Sequence, residues 1–194
     1  TQVVNVTALD DASFTSVDFC ESAVNVISGV ATAGGTYTIS AQTGSATITP
    51  ATGVLAGFAA GDQITIEYTT NGACPNSSTQ VVNVLPNDDA TFTTFDFCES
   101  SVNIVSGVAT LGGTYSIQSQ TGSGTVTIDG ATGVLSNFVA GDQIAIEYTT
   151  NGTCPNTSTQ TVTVTTQDDA SFTSIDFCAS GVNTISGVAT PGGT

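Results

Sequence analysis

The side chains able to do chemistry in this sequence are cysteines and carboxylates, for it holds five Cys and sixteen Asp or Glu but no Lys, Arg or His. The cysteines, Cys20, Cys74, Cys98, Cys154 and Cys178, form no CxxC pair and have no His beside them, so they read as disulfides and not as a zinc site. Persistent disulfides place a protein in an oxidising compartment outside the cytosol. A reactive thiol would need a neighbouring cation to lower its pKa, and the sequence supplies none. Without His, Ser-His-Asp chemistry is excluded, as is a lysine nucleophile without Lys. The carboxylates leave two devices: a pair for glycoside hydrolysis, or a cluster of oxygens for Ca²⁺.

What positions these residues is a repeat. Thr-Gln at Thr1 returns at Thr79 and Thr159, giving periods of 79 − 1 = 78 and 159 − 79 = 80 residues. Cys20 recurs as Cys98 and Cys178, and Cys74 as Cys154. A segment of this length can bury its own core, so the chain reads as beads on a string, unlike a solenoid of short repeats. A catalytic pair duplicated along such a string has no deep asymmetric pocket, and the chain reads as a non-enzyme with no cofactor beyond a candidate calcium ion.

Within the repeat the periodicity is two. In "QITIEYTT", Ile64, Ile66 and Tyr68 alternate with Thr65, Glu67 and Thr69; the second copy keeps Ile144, Ile146 and Tyr148. Val82 and Val84, and Val162 and Val164, keep the same alternation. This describes half-buried antiparallel strands. Turn signals at 33–35, 51–53, 60–62 and 71–77 bound strands near 12–16, 17–20 running on toward 30, 35–40, 45–49, 53–58, 63–70 and 79–85. The break in parity between Phe14 and the Val17/Phe19 pair predicts a kink at Thr15–Ser16. The expected fold is all-β: tandem immunoglobulin-like antiparallel β-sandwiches of about seven strands each, arranged end to end. Residues 1–9 read as the last strand of a preceding repeat, 10–86 and 87–166 as full repeats, and 167–194 as the N-terminal part of another.

Only 8% of residues are charged, all of them acidic, for a net charge of −16. With no cation to neutralise phosphates, the chain is not built for nucleic acid, and anionic membrane surfaces would repel it. No window of eighteen apolar residues predicts a membrane span.

The phrases "DDASFTSVDFC", "GGTYTIS", "ATGVL" and "EYTTNGACPNSSTQVVNV", in that order within one repeat, resemble the tandem repeats of giant Bacteroidetes cell-surface adhesins, of which the SprB-type gliding-motility adhesins are the best known. The resemblance covers both full repeats and the partial third. It implies export by a type IX secretion system, an extended surface filament, and a part in adhesion or gliding. It brings no catalytic residues. One departure is "GDQITIEY", which stands where a "PGTYTVTY"-like phrase belongs.

Two simple disulfide schemes fit the spacing. Within repeats, Cys20 pairs with Cys74 and Cys98 with Cys154, leaving Cys178 a partner outside the segment; between repeats, Cys74 pairs with Cys98 and Cys154 with Cys178, orphaning Cys20. The loop of Cys74 precedes the last strand and so lies remote from the next repeat. Reaching Cys98 means travelling roughly 20 Å or more at about 3.3 Å per residue, whereas a disulfide tolerates about 7 Å between Cα atoms. Intradomain bridges, closing loops of 74 − 20 = 54 and 154 − 98 = 56 residues, are therefore expected.

Among the acids, Asp10-Asp11 returns as Asp88-Asp89 and Asp168-Asp169, and Asp62 as Asp142. Alternating strands bring Asp62 to the junction that Asp88 and Asp89 open, and Asp142 to Asp168 and Asp169. Three carboxylates there would contribute to the oxygen shell of an interdomain Ca²⁺, set against the plainer role of solvating a linker and capping turns.

Trp is absent, and Tyr37, Tyr68, Tyr115 and Tyr148 all fall on inward positions, as do the recurring Phe residues. Sugars stack on exposed rings, so the sequence reads as a stalk or filament segment, with a repeated glycan- or surface-binding module as the alternative. Its partners are the neighbouring repeats of a long chain and like fibres.

Overall fold

Alternating runs such as "QITIEYT" pair into sheets because one face of each strand is apolar and must be covered. The computed structural model, which describes residues 2–191, is all-β. The first repeat holds β1 (Thr15–Ser16), β2 (Phe19–Cys20), β3 (Ile27–Ser28), β4 (Thr36–Gln42), β5 (Thr47–Ile48), β6 (Leu55–Ala56), β7 (Gln63–Thr69) and β8 (Ser77–Leu85). The second gives the same series: β9 (Thr93–Thr94), β10 (Phe97–Cys98), β11 (Val105–Ser106), β12 (Thr114–Thr121), β13 (Thr127–Ile128), β14 (Leu135–Ser136), β15 (Gln143–Thr149) and β16 (Thr157–Thr165). A pair β17 (Thr173–Ser174) and β18 (Ile185–Ser186) follows.

Each repeat has a four-stranded sheet, ordered β2-β8-β7-β4 in the first and β10-β16-β15-β12 in the second. The pairs β1–β3 and β5–β6, with β9–β11 and β13–β14 in the second copy, supply the other layer. One core joins the layers of the first repeat: Ile64, Ile66, Tyr68, Val82 and Val84 from the large sheet meet Phe14, Leu55, Ile27 and Ile48. Ile144, Ile146, Tyr148, Val162 and Val164 do the same beside Phe92, Leu135, Val105 and Ile128. This is the immunoglobulin-like sandwich of two packed sheets, and here the opening segment is shared between them, β1 in the small layer and β2 in the large sheet.

That sharing explains the kink. After β1 pairs with β3, the chain crosses to the other sheet, where β2 lies parallel to β8 with Phe19 opposite Val84 and Cys20 opposite Leu85. The second expected strand is therefore two, β2 and β3, making eight short elements per repeat, and one pair is parallel. Val17 sits at the crossing and is exposed, while Phe19 is buried against the ring of Phe58.

Two polar devices fix the small layer. Tyr68 donates its hydroxyl proton to the Thr32 carbonyl and accepts the Gly35 N–H at 2.8 Å; Tyr148 repeats this with Thr110 and Gly113. A Cβ on Gly35 would meet the Tyr68 hydroxyl at 2.7 Å and the Thr69 carbonyl closer still, so only glycine fits there. Asn25, buried, donates to the Gly53 carbonyl at 2.9 Å and accepts the Leu55 N–H at 2.8 Å, and Asn103 does the same with Gly133 and Leu135.

Contacts divide the chain into two compact units, Thr1–Asp89 with Thr150–Asn156, and Ala90–Thr149 with Thr157–Thr194. The division departs from the expected repeat boundaries: the loop 150–156, between β15 and β16, and residues 87–89 belong with the first unit, and 167–194 are counted with the second. Residues 2–9, expected as a last strand, carry the β8 sequence pattern but form no strand, and Val3, Val4 and Val6 are exposed. A strand exists only by pairing, and no β7-like neighbour lies beside them. In the same way Phe172 and Phe177 are exposed where their counterparts Phe14 and Phe19 are buried. Thr1 and residues 192–194 lie outside the described residues.

Candidate functional site, a disulfide across consecutive repeats

Where a cysteine sits follows from its strand. Cys20 ends β2 and is held at the C-terminal end of β8 from both sides: the Asp18 carboxylate accepts the Asn83 N–H at 2.8 Å, and the Glu21 N–H donates to the Leu85 carbonyl at 2.9 Å. Cys74 lies in the loop that precedes β8, at its other end. There the Asp10 N–H donates to the Cys74 carbonyl at 2.9 Å, the Asn76 amide donates to the Asp10 carbonyl at 3.1 Å, and the Thr70 hydroxyl donates to the Asp10 carboxylate at 3.0 Å.

The second repeat builds the same loop around Asp88. The Asp88 N–H donates to the Cys154 carbonyl at 2.8 Å, the Asn156 amide to the Asp88 carbonyl at 3.2 Å, and the Gly152 N–H to the Asp88 carboxylate at 2.9 Å. Asp88 lies three residues beyond Leu85, and Cys20 pairs with Leu85. The loop that grips the incoming chain is thereby brought to Cys20, and Cys20 is bonded to Cys154 with Cα atoms 5.5 Å apart across 134 residues of sequence. In the chain-entropy account, closing a ring of that size stabilises the folded chain by about 5 kcal/mol.

This corrects both expected bridges. Cys20 does not pair with Cys74, nor Cys98 with Cys154; Cys74, Cys98 and Cys178 are free thiols. The reason is the length of β8. Its nine residues separate the Cys74 loop from the Leu85 end by about 26 Å at 3.3 Å per residue, far beyond the reach of a disulfide. Alternation places the Cys74 loop but not the end at which Cys20 sits, because nothing in a period-two pattern announces that β2 runs parallel to β8.

The expected calcium ligands are not gathered. Among the described residues no group of three or more Asp, Glu, Cys or His side chains is placed to hold a metal ion. Four of the expected ligands, Asp62, Asp88, Asp142 and Asp169, cap backbone instead. Asp62 accepts the Ala59 N–H at 2.9 Å, Asp88 accepts Gly152, and Asp169 accepts the Ser171 N–H at 2.8 Å. Asp142 is buried and accepts the N–H groups of Val139 at 2.8 Å and Gly124 at 3.1 Å. The Val139 bond, helped by Gly124 and Ser123, holds its carboxyl below the ordinary 3.8 against the opposing effect of burial. These are turn caps, the plainer of the two roles.

All four tyrosines are buried as the alternation required, with Tyr37 and Tyr68 rings 4.6 Å apart and Tyr115 and Tyr148 likewise. Burial, and then the neighbouring Tyr68, raises the Tyr37 hydroxyl above its ordinary 10.0; Tyr115 is raised by burial and Tyr148. Phe95 departs from the inward assignment and is 66% exposed. Reading the sequence also passed over Asp18 and Asn25. The signal for both lay in the copies, as Asp18, Asp96 and Asp176 precede each Phe-Cys, and Asn25, Asn103 and Asn183 follow a Val each time.

No helix among the described residues is long and apolar enough to cross a membrane. No protein-family model matches the chain, and no curated protein matches it. Solved structures with a similar fold include protocadherin gamma B2 extracellular cadherin domains 3–6, at 13% identity over 82% of this chain and 51% of that one, with a TM-score of 0.31. Mouse cadherin-23 EC22–24 aligns at 15% identity over 81% of this chain and 65% of its own, with a TM-score of 0.30. The human desmocollin-1 ectodomain aligns at 14% over 82% and 43%, with a TM-score of 0.31. The chain thus spans about half the length of the first of these. At such scores the likenesses carry no argument, and the fold rests on the strand pairing described above.

Proposed function

We propose that the chain is a structural segment of an extracellular fibre, a stalk that spaces and stiffens a cell-surface adhesin. The observation that carries this reading is the Cys20–Cys154 bond, which fastens one sandwich to the loop of the next repeat. A bond of this kind needs an oxidising compartment, and a covalent tie between consecutive repeats serves spacing better than it serves catalysis. Burial of every tyrosine speaks against the alternative, a repeated glycan-binding module, because no tyrosine is left as a stacking platform. The resemblance of the repeat phrases to Bacteroidetes gliding adhesins supports a bacterial surface, type IX secretion and a part in gliding.

The test has two arms. Antibody raised against this chain should label intact, unpermeabilised cells along projecting filaments, and adding or removing whole repeats in the native gene should lengthen or shorten them in proportion. The chain itself should retain nothing on a glycan array. A retained sugar, or label confined to the cell interior, overturns the stalk reading.

A further inference from the structure

We propose that the three free thiols are halves of the same bond, so that in a run of these repeats every Cys20-type cysteine is joined to the Cys154-type cysteine of the following repeat. Cys98 and Cys178 then take the loop cysteine of the next repeat, and Cys74 takes the strand cysteine of a preceding one. The proposal rests on the fibre reading and adds its mechanics: overlapping covalent rings that keep the fibre from being drawn out.

The geometry at each free thiol matches the bonded pair. Cys98 stands opposite Thr165 in the β10–β16 ladder, as Cys20 stands opposite Leu85 in β2–β8. The hydroxyl of Thr165 lies 3.6 Å from the Cys98 sulfur, which is only partly buried. At the other half, the Cys74 sulfur lies 3.8 Å from the Thr7 carbonyl. Thr7 is one 78-residue period before Leu85, the ladder partner of Cys20. Cys74 is therefore held against the position at which a strand cysteine of a preceding repeat would arrive. Its loop has the same internal bonds as the bonded one: the Asn76 N–H donates to Thr70 at 2.9 Å, and Asn156 to Thr150 at 2.9 Å. No other use of these thiols is built in, as no cation activates them and no metal cluster surrounds them among the described residues.

The bond forms by thiol–disulfide exchange with a disulfide-bearing oxidoreductase as oxidant. The Cys98 thiolate attacks one sulfur of the oxidant's disulfide, and the other sulfur leaves as a thiolate. The loop thiolate then attacks the Cys98 sulfur and expels the oxidant's second sulfur. Two electrons reduce the oxidant to a dithiol, and it takes up the two protons that the cysteines released.

The mechanical consequence follows from counting residues along the shortest covalent path. From Cys20 the path crosses to Cys154 and runs 178 − 154 = 24 residues to Cys178, the next equivalent crossing, while the chain between the two crossings has 178 − 20 = 158 residues. Drawn straight at about 3.3–3.6 Å per residue, 24 residues reach roughly 80–85 Å and 158 reach roughly 520–570 Å. The nine-residue β16 lies on this short path and is already extended. A laddered fibre under tension gains little length before a sulfur–sulfur bond must break.

The test lengthens the chain after Thr194 with a copy of residues 115–165, which completes the third repeat in register and adds one loop cysteine. Digestion without reduction and mass spectrometry should show Cys20 linked to Cys154, Cys98 linked to the added cysteine, and Cys74 and Cys178 open to alkylation. A Cys98→Ser variant should free the added cysteine and leave Cys20–Cys154 intact. A link from the added cysteine to Cys178, a Cys98–Cys74 link, or a fully alkylated Cys98 overturns the proposal. Single-molecule pulling of the original chain gives an independent reading: reduction should release about 440–480 Å of hidden length, from the 134 residues inside the ring. Equal extension with and without reductant overturns the shielding. Neither result depends on cell-surface labelling, so the ladder can fail while the stalk reading stands, and the reverse.

Discussion

Replacing Asn25 by Ala asks whether one buried amide holds the small layer together. β3 pairs with β1 and β6 with β5, but no ladder joins the two pairs. Asn25 bridges that gap, donating to Gly53 and accepting from Leu55 while 4% exposed. Alanine leaves a carbonyl and an N–H buried without partners, at about 1–3 kcal/mol each. Taking about 3 kcal/mol for the pair, and about 4–8 °C per kcal/mol for a domain of this size, the first repeat should melt at least about 12 °C lower. Differential scanning calorimetry of the oxidised chain reads this directly, with Asn103→Ala shifting the second repeat by a similar amount. Val24→Ala and Val26→Ala are the controls, since these neighbours are 60% and 64% exposed and should move stability by no more than about 0.5 kcal/mol. If Asn25→Ala melts within two or so degrees of the parent, or if Val26→Ala loses as much, the amide bridge is not what ties the layer.

Tyr68→Phe removes the hydroxyl shared by Thr32 and Gly35 and should destabilise the first repeat by about 1–3 kcal/mol, read as an earlier midpoint in urea. Alkaline titration should weaken both repeats. Because the Tyr37 and Tyr115 hydroxyls are raised above 10.0, their contribution is whole below that pH and is lost as pH rises through the folded values; Tyr37→Phe should flatten the loss in the first repeat. Acid acts in the opposite sense at Asp142. With a carboxyl lowered below 3.8, its contribution is present above that pH and disappears as pH falls through the folded value, and Asp142→Asn should remove this acid dependence from the second repeat's melting curve.

The parts of the fold that sequence made legible are those governed by nearest-neighbour alternation. Ile64, Ile66 and Tyr68 announce β7, and Val82 and Val84 announce β8, because a period of two can bury only one face. The change of parity after Phe14 located the place where the chain leaves one sheet for the other. What alternation does not carry is the direction of pairing between short distant segments. β2 has two residues, too few for a pattern, and its parallel seat beside β8 decides which end of the sandwich Cys20 occupies. The disulfide assignment failed at that point. The carboxylates failed differently. Recurrence of Asp62 as Asp142 marked them as needed, but recurrence cannot separate a metal ligand from a turn cap; the Ala59 and Val139 N–H groups show the cap.

The composition and the staple belong to one physical problem. With sixteen acids and no cation, no junction between repeats of this chain can be closed by a salt bridge, and every repeat repels the next. Salt screens such repulsion over about 8–10 Å, so a noncovalent junction would loosen or tighten with the ionic strength outside a cell. A disulfide is indifferent to ionic strength. It also needs no side chain of the missing kind, only one cysteine delivered by a strand end and another by a loop that already grips the incoming backbone through Asp88. On this argument the absence of Lys and Arg is tolerable because the holding is done by sulfur and by backbone hydrogen bonds. A repeat of this kind that had lost both cysteine types would then need a replacement at the same place, with cations opposite its acids or an apolar contact.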